Sequence, residues 1–141
     1  MSSFSYLCIS NNPSLNGQLR SLEYLDGGAM DVLRAGRDLI HLGWELLADP
    51  LYGNFKPNQQ PYRSLLLKKG REGSVDMLSL DLIESAIVVY SSSHRLMLPG
   101  ELPESIDNDF RYLDFMLLEE TFHRYSVLAS STESCTEVVN G

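Results

Sequence analysis

This sequence predicts a single small α/β domain, built on a short mixed or parallel sheet in two or three layers with about three helices. Three observations carry that prediction. A β-prone apolar run at residues 4–9 is closed by Asn11-Asn12-Pro13, a long periodic segment opens after Asp26-Gly27-Gly28, and a second apolar run, Leu65-Leu66-Leu67, follows further on. Strand, helix and strand in that order imply a right-handed crossover with parallel pairing.

Taken in order, residues 4–9 read as a first strand that Ser10-Asn11-Asn12-Pro13 stops, and residues 22–25 as a second. From residue 29 to about residue 47, Ala29, Val32, Leu33, Leu39, Ile40, Leu46 and Leu47 share one helical stripe with Gly36 and Gly43. Each glycine costs a helix about 1 kcal/mol against alanine, so the expected return is close approach to a sheet or a second helix. Pro50, Pro57 and Pro61 then fix the backbone of a loop that is ordered without regular secondary structure. Residues 62–68 read as an interior strand, followed by an exposed turn over residues 69–73. A second helix spans about residues 79–92. Ile87-Val88-Val89-Tyr90 is β-prone, but Leu82, Ala86 and Val89 repeat at helical spacing and decide for helix.

After the loop at Pro99-Gly100-Glu101-Leu102-Pro103, Ser105 can cap a last helix that runs to about residue 128. Phe110, Leu113 and Leu117 line one side of it, and Phe115, Leu118, Phe122 and Tyr125 widen the apolar face enough to suggest a homodimer surface. The domain is thus expected to occupy residues 1–129. Residues 130–141, rich in Ser, Thr and Glu, are expected to be a disordered tail.

Composition narrows the function classes. The 141 residues are 43% hydrophobic and 21% charged, ordinary for a globular domain, and the chain is long enough to bury roughly two thirds of its unfolded surface. A formal net charge of -8, with no Lys/Arg cluster, argues against nucleic-acid binding. No run of about 18 apolar residues and no basic leader region is present, so neither membrane insertion nor secretion is expected and a cytoplasmic location is. Cys8 and Cys135 lie near opposite ends, outside any Cys-x-x-Cys motif, and read as two unpaired thiols.

The candidate site combines the polar side of the first helix with the proline-rich loop. Arg34, Asp38, His41 and Glu45 fall at steps of three or four with Arg37 adjacent, a pattern that an ordinary solvated face also gives. Lys56, Asn58 and Tyr62 add a point charge, an amide and a phenol from the loop. Asn11 and Asn12 follow the first strand, where ligands of open α/β sheets bind, although an Asx-turn explains them equally well. A small anionic ligand held by Asn11, Asn12, Arg37, Asp38, His41, Lys56, Asn58 and Tyr62 is the favoured reading, in a non-catalytic accessory or binding protein. Two alternatives stand beside it: a small enzyme using His41 as general acid or base, and an interaction module acting through the last helix. Asp26-Gly27-Gly28 lacks phosphate-loop spacing, and Asp31 fills the helix terminus itself. The pairs Asp38/His41 and Glu120/His123 each put a carboxylate and an imidazole one turn apart, but nothing suggests the four-helix bundle that would make a metal centre of them. Neither a metal nor a cofactor is indicated.

Arg37-Asp38-Leu39-Ile40-His41-Leu42-Gly43, Leu46-Leu47, Asp49-Pro50-Leu51-Tyr52-Gly53-Asn54-Phe55-Lys56-Pro57-Asn58 and Pro61-Tyr62-Arg63-Ser64 together resemble the GrdX family. So do Asn11-Asn12-Pro13, Asp109-Phe110 and Leu113-Asp114, so that the resemblance spans about residues 5–125. It implies a small cytoplasmic protein associated with glycine reductase gene clusters of anaerobic bacteria, with no established activity. The chain departs from the family pattern at Trp44, where a second histidine is expected, and at Tyr52 and Phe55, where smaller residues are commoner. Tryptophan cannot ligate a metal, which weakens any paired-histidine site.

Overall fold

The computed structural model describes residues 5–129; the residues expected to form the tail, Cys135 among them, lie outside that range. Four strands form one mixed sheet: β1 (Tyr6–Ser10), β2 (Leu22–Tyr24), β3 (Trp44–Leu46) and β4 (Ser64–Lys69). Three helices cover it: α1 (Ala29–His41), α2 (Met77–Ser91) and α3 (Glu104–Arg124). Short 3-10 turns at Pro13–Leu15 and Tyr52–Asn54 lie in the connections. The strand order is β2-β1-β4-β3, with β1 parallel to β2 and antiparallel to β4, and β3 antiparallel to β4.

The architecture has three layers. Because successive strand residues face opposite ways, Leu65 and Leu67 of β4 join Ile9 in a core with Val32, Leu33 and Ile40 of α1 and Ile83, Ala86 and Tyr90 of α2. Leu66 and Cys8 point the other way, onto Leu118 and Phe122 of α3 and onto Leu15 and Leu19. Both faces of β4 are therefore buried, as its unbroken apolar run requires.

The expected parallel crossover through α1 is corrected. The parallel pair is β1 and β2, joined by the short 11–21 connection, while β4 lies beside β1 in the antiparallel sense, and β2 and β3, the strands flanking α1, form the two edges of the sheet. The first helix also stops at His41 rather than near residue 47, because Gly43 sits at φ +109° and turns the chain into the edge strand β3. The last helix begins two residues earlier than a Ser105 cap implies, with Pro103 in the cap position, and ends at Arg124 rather than near residue 128. The glycines earn their places differently. A Cβ on Gly36 would stand 2.3 Å from Cδ1 of Leu65, so α1 lies directly on the sheet there, whereas one on Gly43 would stand 2.7 Å from the Arg71 carbonyl oxygen.

Gly43→Ala should therefore destabilise the fold by more than about 1 kcal/mol, since a side chain at this φ is strained and the obstructing atom is backbone. A lower urea midpoint with unchanged slope is the expected observation; an unchanged midpoint would contradict it.

Candidate functional site

Two ionisable side chains, Arg63 and Asp114, are 1% exposed each. Arg63 enters the core where the proline-rich loop meets β4, and Asp114 sits on the buried stripe of α3 one turn before Leu118. Tyr52 separates them. The Arg63 guanidinium carbon lies 4.5 Å from the Tyr52 ring centre, and the Tyr52 hydroxyl donates to Asp114 Oδ1. That hydroxyl also accepts the Ser64 backbone N–H at 2.8 Å. The guanidinium carbon also lies 5.9 Å from the Tyr90 ring centre, its Nε donates to the Tyr90 hydroxyl at 3.2 Å, and its Nη1 donates to the carbonyls of Pro50 (3.1 Å) and Tyr52 (3.0 Å). One arginine thereby clamps the 50–52 turn to the sheet and to α2.

Asp114 Oδ2 receives Asn12 Nδ2 at 3.0 Å and the Ser64 hydroxyl at 2.8 Å. The Ser64 oxygen is 2.7 Å from that of Ser10, and Ser10 in turn accepts the Asn12 backbone N–H at 2.9 Å. With Ser64 donating to the carboxylate, Ser10 donates to Ser64, and a closed circuit results. Burial pushes the Asp114 carboxyl above its ordinary value against the pull of these donors, and it raises the Tyr52 phenol as well, helped by the Asp114 charge. Burial opposes the Arg63 charge, but the phenols of Tyr52 and Tyr90 and the Asp114 carboxyl outweigh it and hold that charge firmly. The Cys8 thiol, buried nearby, is raised by desolvation first and by Asp114 second, so it behaves as an inert apolar group.

The expected site residues fall into three places. Asn11, Asn12 and Tyr62 belong to this interior: Asn11 Nδ2 donates to Gly27 O (2.9 Å) and Pro61 O (3.0 Å), and its Oδ1 accepts Arg63 N–H at 2.9 Å. Asn12 Oδ1 caps the Ser14 N–H at 3.0 Å, so the Asx-turn is present while the amide nitrogen holds the chain's own carboxylate. The Tyr62 hydroxyl donates to the Asp107 carboxylate, 2.7 and 2.8 Å from its two oxygens, and burial followed by that hydrogen bond raises the phenol's pKa. Arg37, Asp38 and His41 lie instead on the outer side of α1, where Arg37 pairs with Glu84 of α2 at 3.6 Å and Asp38 and His41 are exposed. Glu45, on β3, pairs with Lys68. Lys56 and Asn58 occupy a third place, a groove of about 290 Å³ shared with Pro57, Val89, Ser92, Ser93, His94 and Arg95. The eight residues are thus not gathered in one pocket.

The metal pairing is likewise divided, since α1 and α3 cover opposite faces of the sheet; among the described residues no group of three His, Cys, Asp or Glu could hold an ion. No helix among the described residues is long and apolar enough to cross a membrane. Phe122, expected on a dimer face, is 0% exposed and part of the core, whereas Tyr112, Met116 and Leu117 form the exposed apolar side of α3.

Residue-by-residue reading passed over Arg63, Ser64, Tyr52 and Asp114 as site members. Two signals could have found them: a lone arginine at the mouth of an apolar strand, and an aspartate four residues after Phe110 and four before Leu118 on the stripe expected to be buried. A family model described as GrdX-like protein matches residues 7–123, which contain the whole circuit. No curated protein and no solved structure matches the chain.

Proposed function

We propose that this chain, which belongs to the GrdX family, is a non-catalytic binding protein that takes a small anionic ligand between the proline-rich loop and the end of α2. The observation that carries this reading is the convergence of Lys56, His94 and Arg95 on one groove of a chain whose net charge is -8. Asn58, Ser92 and Ser93 line the same groove with amide and hydroxyl donors. Arg95 is engaged by Glu101, while the Lys56 ammonium has no partner among the described residues.

The loop is held before any ligand arrives. Pro57 O accepts Met97 N–H at 3.1 Å, Gln59 Oε1 accepts Lys56 N–H at 2.9 Å, and the Arg63 clamp fixes the preceding turn. Such order lowers the entropy lost on binding. Asn11 and Tyr62, from the expected set, support the groove from within by holding the loop's return to β4. The role that fits is accessory, within amino-acid (glycine) reductase metabolism.

Thermal denaturation with inorganic phosphate, glycerol phosphate or succinate tests it, on the wild type beside a Lys56→Ala, His94→Ala double variant. At a ligand concentration of about 100 Kd the wild type should gain about 2.7 kcal/mol and the variant little. An equal rise in both, or none in either with any of the three anions, would remove the groove as the site.

A further inference from the structure

A second cleft, of about 370 Å³, lies between the Pro13–Leu15 turn and α3 and is lined by Ser14, Gln18, Asn108, Arg111, Tyr112 and Phe115. We infer that it is a binding site for a small aromatic monocarboxylate, the ring packed against Tyr112 and Phe115 and the carboxylate taken by Arg111. It is separate from the groove at Lys56 and does not depend on that reading.

Arg111 carries the inference. Its side chain is only 20% exposed, yet the guanidinium makes no aligned hydrogen bond among the described residues, and Nε is buried without an acceptor. Asp107 Oδ2 lies 3.1 Å from that nitrogen, close enough to balance the charge, but off the direction in which the N–H points. The same Asp107 carboxylate is committed to the Tyr62 hydroxyl. With Nε beside Asp107 and its two Nη groups making no hydrogen bond among the described residues, a guanidinium that lines the cleft keeps donors for an acceptor there, and a carboxylate matches their geometry.

The walls supply the rest. Asn12 pins both of them, its Oδ1 capping Ser14 on one side and its Nδ2 donating to the Arg111 carbonyl at 2.9 Å on the other. The cleft therefore keeps its width without a ligand. Tyr112, at 63% exposure, and the half-buried Phe115 give an aromatic platform suited to one ring, and Ser14, Gln18 and Asn108 form a polar rim. Because Asp107 already neutralises Arg111, a second negative charge is tolerated once but not twice, which is why a monocarboxylate fits and a phosphate monoester does not.

Phenylacetate is the probe, titrated into the full chain by calorimetry or by NMR of the Arg111 Nε–H, with phenylacetamide and acetate as controls. The expected result is binding of phenylacetate at least tenfold tighter than either control, because the amide lacks the charge and acetate lacks the ring. Arg111→Met should lose at least tenfold in affinity. Ser14→Phe, an exposed position whose larger side chain fills the cleft, should abolish binding with the fold intact, and decides the matter if Arg111→Met fails to fold. The Lys56→Ala, His94→Ala variant should bind phenylacetate as the wild type does. Equal affinity for the amide, unchanged binding in Ser14→Phe, loss of binding in the Lys56 variant, or no binding of phenylacetate would each overturn the assignment.

Discussion

Replacing Arg63 with methionine should cost at least about 3 kcal/mol, a large share of the 5–15 kcal/mol that holds an ordinary domain folded. Methionine can fill much of the volume, but it leaves the Pro50 and Tyr52 carbonyls without their donor and the Tyr90 hydroxyl without the Nε–H it accepts. Buried polar groups stranded this way cost about 1–3 kcal/mol each, and the aromatic contacts to Tyr52 and Tyr90 are lost with them. The Asp114 carboxyl would also lose the cation that offsets its burial. Arg63→Lys should recover little, because an ammonium cannot lie flat on the Tyr52 ring and reach carbonyls and phenol from one plane. Urea denaturation of the three proteins checks this; a methionine variant within about 1 kcal/mol of the wild type would mean that the clamp is dispensable.

What the sequence made legible follows from the range over which each feature is determined. The strand β4, the helix α2 and the body of α3 are written in local periodicity and were readable to within a few residues, whereas for α1 only the start was readable, since its expected end near residue 47 overran His41. The strand β3 was not, because Trp44, Glu45 and Leu46 are too few to show alternation and the apolar period of α1 runs on through Leu46 and Leu47. Only the turn at Gly43 and pairing with β4 make them a strand. The sheet order was hidden for a related reason: whether β4 enters beside β1 or β2 depends on pairings across more than fifty residues, which no local pattern encodes.

The interior of the site was legible in pieces. Asn11, Asn12 and Tyr62 were noticed one at a time for what each could offer a ligand, whereas their partners are groups of the chain itself. The GrdX-like stretches contain Arg63, Ser64 and Asp114, with Tyr52 at a position where this chain departs from the pattern, and they do not say what the four do together. In the structure the Tyr52 hydroxyl, the Ser64 hydroxyl and backbone N–H, and the Asp114 carboxylate satisfy one another, and Arg63 lies over the Tyr52 ring, so a change at one disturbs its neighbours.

Asp114→Asn puts that mutual dependence to its sharpest test. Both carboxylate oxygens act as acceptors, Oδ1 from Tyr52 and Oδ2 from Asn12 and Ser64, so an amide placed either way turns an NH2 toward a donor. The expected loss is about 1–3 kcal/mol, and Asp114→Ala, which strands all three donors, should lose more. The pH dependence separates burial from hydrogen bonding as the dominant influence. Since burial holds the folded pKa above the unfolded one, the native state binds this proton more tightly, and the associated stability is full below the ordinary carboxylate range. It is lost as pH climbs from about 4 through the raised value. The asparagine variant has no such proton, so the difference between wild type and variant should shrink over that window and then level off. Urea midpoints measured for both proteins across the window decide it. A difference that widens with pH would show that Tyr52, Asn12, Ser64 and Arg63 together outweigh desolvation, making Asp114 a stabilised carboxylate rather than a reluctant one.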